Sequence, residues 1–197
     1  MPSPLFTNNF KTFIFDLLEK YDNSNLNLMI SGGSLLNVLD NPSYSSLDTS
    51  KWSIYYADER VDPKGSNYKG SLPFLNSLKG KVYRMEVEDK DCARNYSKLL
   101  PKIDICLLGV GPDGHICSLF PDTPSLDSQD KVISITNPKV QFPERVTTTL
   151  KFLNSEVENL YFVIPDKNGE VKEVKEPHCS IKRRLTKDYV IVLYKNE

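Results

Sequence analysis

Short apolar runs alternate along this chain with polar or glycine-rich turns and with stretches whose apolar residues recur at helical spacing. Leu26–Ile30, Trp52–Tyr56 and Ile103–Leu108 are nearly continuous apolar runs, the pattern of strands buried on both faces. Val82–Met85, Val132–Ile135, Leu160–Ile164 and Tyr189–Tyr194 add further strands, and Phe6–Tyr21, Asp91–Leu100 and Leu150–Glu158 carry helical periodicity. Strands alternating with helices predict an α/β fold: a mostly parallel sheet with helices on both faces. Ligands of such sheets bind beyond the carboxyl ends of the strands. Three polar turns fall there: Ser31-Gly32-Gly33-Ser34, Ala57-Asp58-Glu59-Arg60, and the run from Gly109 to His115. Motifs far apart in sequence are therefore expected to converge on one crevice.

Composition narrows the function classes. The chain has 197 residues, 39% hydrophobic and 26% charged, with no internal repeat or low-complexity tract, so one domain over residues 1–197 is expected. Lys plus Arg number 25 against 26 Asp plus Glu, a net charge of -1. No overall basic field exists to collect nucleic acid or an anionic membrane, so any bound anion must be held by a local site. The apolar runs are too short to span a bilayer and the first residues lack a signal-peptide layout, which predicts a cytoplasmic protein. Cys92, Cys106, Cys117 and Cys179 are scattered without paired spacing and are expected to be reduced thiols. A zinc site built from His115, Cys117, His178 and Cys179 lacks the tight spacing such sites show, so no metal is expected.

Each turn carries candidate chemistry beside a plainer alternative. Ser31–Ser34 offers backbone N–H groups, two glycines that let an anion approach closely, and hydroxyl donors; the alternative is an ordinary strand-to-helix turn capped by Ser34. Asp58-Glu59-Arg60 places two carboxylates and a guanidinium at a strand end, and Pro143-Glu144-Arg145-Val146-Thr147 brings a second arginine in a polar turn. Either arginine suits a phosphate, and a solvated loop is the plainer alternative for either segment. Gly109–Gly114 matches G-x-G-x-x-G, but Pro121 and Pro124 cut short the helix a dinucleotide would need, and Asp113 puts a negative charge inside the loop. His115 follows it. An imidazole can accept a proton near neutral pH, and Asp113 two residues earlier can fix its tautomer; a helix-capping histidine is the plainer alternative. His178, in a polar segment beside Cys179, has little claim to catalysis, and no G-x-S-x-G elbow supports a serine hydrolase.

Together these pieces resemble the 6-phosphogluconolactonase family. The strand Asp104–Leu108 followed by Gly-Pro-Asp-Gly-His (111–115) and Ser-Leu-Phe-Pro (118–121) is similar to its most specific signature. Ser31–Ser34, Asp58-Glu59-Arg60-Val61 with Ser66-Asn67-Tyr68, and Pro143–Thr147 match its other blocks, in the family's order. The resemblance implies a Rossmann-like fold and hydrolysis of 6-phospho-D-glucono-1,5-lactone to 6-phosphogluconate in the oxidative pentose phosphate pathway, without metal or organic cofactor. It implies His115 as the base that activates water, with Asp113 its neighbour, and Gly32, Gly33, Ser34, Arg60 and Arg145 as the lining that holds the phosphorylated sugar. Lys167, in the turn Pro165–Gly169, stands one position away from where the family carries a lysine near the phosphate. The chain is expected to be a monomer, shortened at both ends relative to the family. Related sugar-phosphate isomerases or deaminases carry a glutamate after the histidine, and Ile116–Pro121 has none. A catalytically inactive sugar-phosphate binder would have no need of His115.

Overall fold

The computed structural model describes residues 5–7, 9–164 and 176–194. Among them ten strands form two sheets: β1 (Leu5–Thr7), β2 (Leu26–Ile30), β3 (Trp52–Tyr56), β4 (Asp58–Arg60), β5 (Lys81–Tyr83), β6 (Ile103–Leu108), β7 (Val132–Thr136), β8 (Glu144–Thr148), β9 (Val157–Ile164) and β10 (Tyr189–Tyr194). Seven make one sheet in the order β1-β10-β9-β6-β2-β3-β5, and every pair in it is parallel. The other three form a small antiparallel sheet in the order β4-β8-β7.

The apolar runs are continuous because alternate residues serve opposite faces of the large sheet. Leu28 and Ile30, Ile54 and Tyr56, and Ile105 and Leu107 meet Ile14 and Leu18 of the helix Phe10–Glu19 and the short helix Leu35–Leu39. Met29, Tyr55, Cys106 and Leu108 point the other way, where Tyr96 of helix Cys92–Leu99, Phe152 and Leu153 of helix Leu150–Glu156, and Ile181 complete a second core. Helices thus cover both faces, as the alternation predicts.

Several boundaries differ from the sequence reading. The first helix begins at Phe10, not Phe6, because Leu5–Thr7 joins the sheet edge beside β10 and the Asn9 side chain accepts the Thr12 N–H as an N-cap. The helix from Leu150 stops at Glu156, since β9 takes over at Val157. The strand expected at Val82–Met85 covers Lys81–Tyr83. Asp58–Arg60 and Glu144–Thr148 look like turns for their polar composition, yet pair as strands, Asp58 opposite Thr147 and Arg60 opposite Arg145. Ala57 makes this possible: its N–H donates to Ile30 in the large sheet while its carbonyl accepts from Thr148 in the small one. The chain leaves β3 and enters the second sheet at that residue.

Strand order fixes where a ligand can sit. From β2 the chain proceeds outward to β3, whereas from β6 it proceeds to β9 on the opposite side. The turns after these two adjacent strands therefore diverge and open a crevice between them. They are stitched at the base: the Ser31 N–H donates to Leu107 O at 3.1 Å, and the Gly109 N–H donates to Ser31 Oγ at 2.9 Å.

Candidate active site

A cleft of ≈ 240 Å³ occupies this crevice, walled by Ser31–Ser34 from the first turn, Asp58 and Arg60 from β4, Gly109–Pro112 with His115 and Cys117 from the third, and Ile164 at the end of β9. All three polar turns singled out by sequence contribute to it.

In the first turn, Gly33 adopts φ +74° with open space around it, the left-handed conformation that costs a side-chain-bearing residue strain. Gly32 is required for a different reason, because a Cβ there would lie 1.7 Å from Asn67 Oδ1. Ser34 precedes helix Leu35–Leu39 but its hydroxyl makes no capping bond, so the plainer role for it is not realised.

The two carboxylates of β4 do different work. Glu59 is buried and accepts from the N–H groups of Arg60 (2.8 Å), Asn67 (2.6 Å) and Tyr68 (2.9 Å) and from the Ser66 hydroxyl (3.1 Å). It is consumed in anchoring the start of helix Asn67–Gly70 and does not line the cleft. Asp58, also buried, does line it, and its carboxylate accepts from Ser118 Oγ at 2.6 Å and Asn67 Nδ2 at 3.1 Å. Arg60 donates from Nη1 to Gly65 O (2.8 Å) and Asn67 Oδ1 (2.5 Å), while its buried Nε has no partner.

The third turn carries the histidine. Its Nδ1 lies 2.5 Å from Asp113 Oδ1, which also accepts the His115 backbone N–H at 3.2 Å. Partial burial raises the Asp113 carboxyl, but the hydrogen bonds from the His115 ring and backbone outweigh this and hold it below the usual carboxylate range. Among the described residues nothing hydrogen-bonds Nε2, so that nitrogen is available to a ligand or water. The ring packs on Phe120, with centroids 4.9 Å apart, and against Gly111, where a Cβ would fall 2.1 Å from it. Gly114, at φ +80°, closes the turn, and its carbonyl accepts the His178 N–H at 2.9 Å. His178 itself caps the short helix Cys179–Lys182 through Ser180. Asp113 stands behind the histidine, on the wall of a neighbouring depression shared with Phe120, Lys139 and His178.

Arg145, like Asp113, is an expected site residue that does not reach the cleft wall. It is buried opposite Arg60, donating from Nε to Phe142 O (2.8 Å) and from Nη1 to Ser118 Oγ (3.3 Å), with its guanidinium 5.5 Å from the Phe120 ring centre. Burial and the nearby Arg60 charge lower its pKa, against the pull of Asp58. Lys167 lies outside the described residues. Sequence reasoning passed over Ser118 and gave Asn67 no role, although both sit inside the motifs that carry the resemblance; a hydroxyl and an amide give no charge signal of their own. Among the described residues, no group of three or more His, Cys, Asp or Glu side chains gathers as a metal site, and no helix is long and apolar enough to cross a membrane.

Comparison with known proteins bears on this arrangement. Residues 7–177 match the family described as glucosamine-6-phosphate isomerases/6-phosphogluconolactonase. A probable chloroplastic 6-phosphogluconolactonase 4 of Oryza sativa is 35% identical over 160 residues, 65% of this chain and 49% of that protein. A probable 6-phosphogluconolactonase of Drosophila melanogaster is 34% identical over 168 residues, covering 76% and 67%. The chain thus spans about half the length of the rice relative and two thirds of the fly one. The crystal structure of 6-phosphogluconolactonase from Thermotoga maritima superposes with a TM-score of 0.75 over 98% of this chain and 100% of that one, at 20% identity, a likeness of fold.

Proposed function

Because the chain belongs to the glucosamine-6-phosphate isomerase/6-phosphogluconolactonase family, we propose that it hydrolyses 6-phospho-D-glucono-1,5-lactone to 6-phosphogluconate, the reaction named in its relatives. The observation that carries the reading is the His115–Asp113 pair at the cleft, with Nδ1 engaged by a carboxylate and Nε2 left open.

In this mechanism Asp113 accepts a hydrogen bond from Nδ1–H and so keeps the lone pair on Nε2, which removes a proton from water as the oxygen attacks the lactone carbonyl. The tetrahedral oxyanion then collapses, breaking the bond between the carbonyl carbon and the ring oxygen, and the imidazolium returns its proton to that oxygen as it becomes a hydroxyl. The carboxylic acid product ionises in solution. A δ-lactone is a reactive ester, so a positioned base with donors for the oxyanion suffices and no covalent enzyme intermediate is needed. The N–H groups of Gly32, Gly33 and Ser34 and the Arg60 guanidinium hold the phosphate, and that remote binding fixes the carbonyl near the water. Arg145, behind Ser118, adds positive potential without touching the ligand. The protein acts in this reading as a cytoplasmic monomer with no nucleic-acid or membrane partner.

The test is lactone hydrolysis measured in EDTA, with substrate generated in situ by glucose-6-phosphate dehydrogenase. The wild-type chain should exceed the spontaneous rate, and His115→Ala should lose that excess. An unchanged kcat in His115→Ala would remove the base from the mechanism, and no excess rate in the wild type would remove the lactonase.

A further inference from the structure

We propose that Asn67 is a positioning residue that locks Arg60 so that one edge of its guanidinium faces the ligand. The inference rests on the reading of the cleft as a phosphorylated-sugar site and says how its cation is set.

Asn67 is buried, and both ends of its amide are used. Nδ2 donates to the Asp58 carbonyl at 2.9 Å and to the Asp58 carboxylate at 3.1 Å, while Oδ1 accepts from Arg60 Nη1 at 2.5 Å. The amide can sit only this way round. A carbonyl and a carboxylate offer no hydrogen to Oδ1, and a guanidinium offers no lone pair to Nδ2. The residue is fixed from its backbone too, its N–H held by Glu59 at 2.6 Å, and its side chain lies on the face of Gly32 where no Cβ can exist.

The consequence for Arg60 follows by counting donors. A guanidinium carries five N–H bonds, and the two on Nη1 are taken by Asn67 Oδ1 and Gly65 O. What remains is Nε–H and Nη2, the parallel pair that matches two oxygens of a phosphate or carboxylate. Among the described residues no group hydrogen-bonds either nitrogen, and Nε is buried without a partner, a condition folded proteins seldom tolerate unless the group has another use. Asn67 therefore spends the end-on face of Arg60 on protein and reserves the side-on face. Without Asn67, Nη1 keeps only Gly65, and the guanidinium plane is free to turn.

The experiment measures binding of 6-phosphogluconate by calorimetry to the wild type, Asn67→Ala, Arg60→Ala and the double variant. Asn67→Ala should weaken binding by about tenfold to a hundredfold, the scale of one well-set charge-assisted hydrogen bond. Arg60→Ala should weaken it at least as much, and the double variant should match Arg60→Ala, because Asn67 has nothing to position once the guanidinium is gone. Arg60→Lys, which carries a charge but no fork, should bind like Arg60→Ala. Asn67→Leu, which keeps the volume but offers Arg60 Nη1 no acceptor, carries the same expectations if the alanine variant does not fold. Wild-type affinity in the Asn67 variants, or losses that add in the double variant, would overturn the proposal. If the wild type binds the sugar acid but does not hydrolyse the lactone, the lactonase fails while this inference is judged on the binding data. If the wild type does not bind it, both fall.

Discussion

Replacing Asp113 by asparagine asks how much the carboxylate contributes beyond holding the imidazole still. Asparagine has the same shape and keeps an oxygen that can accept from Nδ1, but it carries no charge to favour the imidazolium formed when water gives up its proton. Two unit charges about 4 Å apart attract by about 1 kcal/mol in water and about 4 kcal/mol at an effective dielectric constant of about 20. The Asp113 and His115 side chains are 52% and 25% exposed, so solvent screens the pair and the lower part of that range applies. A loss of about 1–2 kcal/mol is expected, which is about a 5- to 30-fold fall in kcat. Because the His115 hydrogen bonds hold the Asp113 carboxyl below the usual carboxylate range, it is ionised throughout the neutral region, and its own titration adds no pH dependence to the deficit between about pH 6 and 8. The assay is kcat at saturating phosphorylated lactone, corrected for spontaneous hydrolysis, for both proteins across that range. A kcat within twofold of wild type would show that the charge does not act on the transition state, and a loss equal to that of His115→Ala would show that Asp113 is indispensable to the base rather than an aid to it.

Other perturbations test the scaffold. Gly33→Ala meets only its left-handed backbone and should cost about 1–2 kcal/mol, whereas Gly114→Ala also drives a Cβ to within 2.7 Å of the His178 nitrogen and should cost distinctly more; equal midpoints in urea denaturation would contradict this. Glu59→Gln replaces an acceptor of four hydrogen bonds by a group with fewer lone pairs beside the same donors, and should destabilise by about 2–3 kcal/mol without altering the cleft wall; an unchanged thermal midpoint would refute that. Arg184 forks onto Asp127 at 2.7 and 2.8 Å, and this hydrogen-bonded pairing lowers the Asp127 pKa. The pair's stabilisation is therefore complete above the ordinary carboxylate pKa of about 3.9 and is lost as pH falls through the lower folded value. Asp127→Asn should flatten the dependence of the thermal midpoint on pH below about pH 4; an identical slope would argue against the pairing.

What could be read from the sequence depended on how each residue reports its surroundings. β2, β3 and β6 were legible because burial on both faces writes an unbroken apolar run, and a glycine turn or a histidine at the end of such a run announces a crevice. β4 and β8 were not, because strands made of Asp-Glu-Arg and Glu-Arg-Val-Thr-Thr are held by ladder bonds and by Ala57 straddling two sheets, neither of which leaves an apolar trace. Charge identified Arg60 and Arg145 equally, and only the fold separates them, one on the cleft wall and one behind Ser118. Glu59 and Asp58 are neighbours of one chemistry whose roles part because strand pleating sends successive side chains to opposite sides.

The position of β1 bears on how the molecule is assembled in time. Its neighbour in the sheet is β10, with Leu5 beside Val192, so β1 waits for the last of the described strands before it has a partner among them. On a ribosome Leu5–Thr7 have no sheet partner among the described strands until Tyr189–Tyr194 emerge, while β2, β3 and β6 can already associate. Pairing β1 with β10 closes a loop that runs through all the other described strands, the kind of pairing whose entropy is lost before any contact repays it. The segment that supplies β10 also supplies His178, whose N–H is seated on the Gly114 carbonyl beneath the histidine turn. Emergence of residues 176–194 thus sets both the seat of β1 in the sheet and the support under the histidine turn, and a nascent chain owns every motif of the site well before it owns the site.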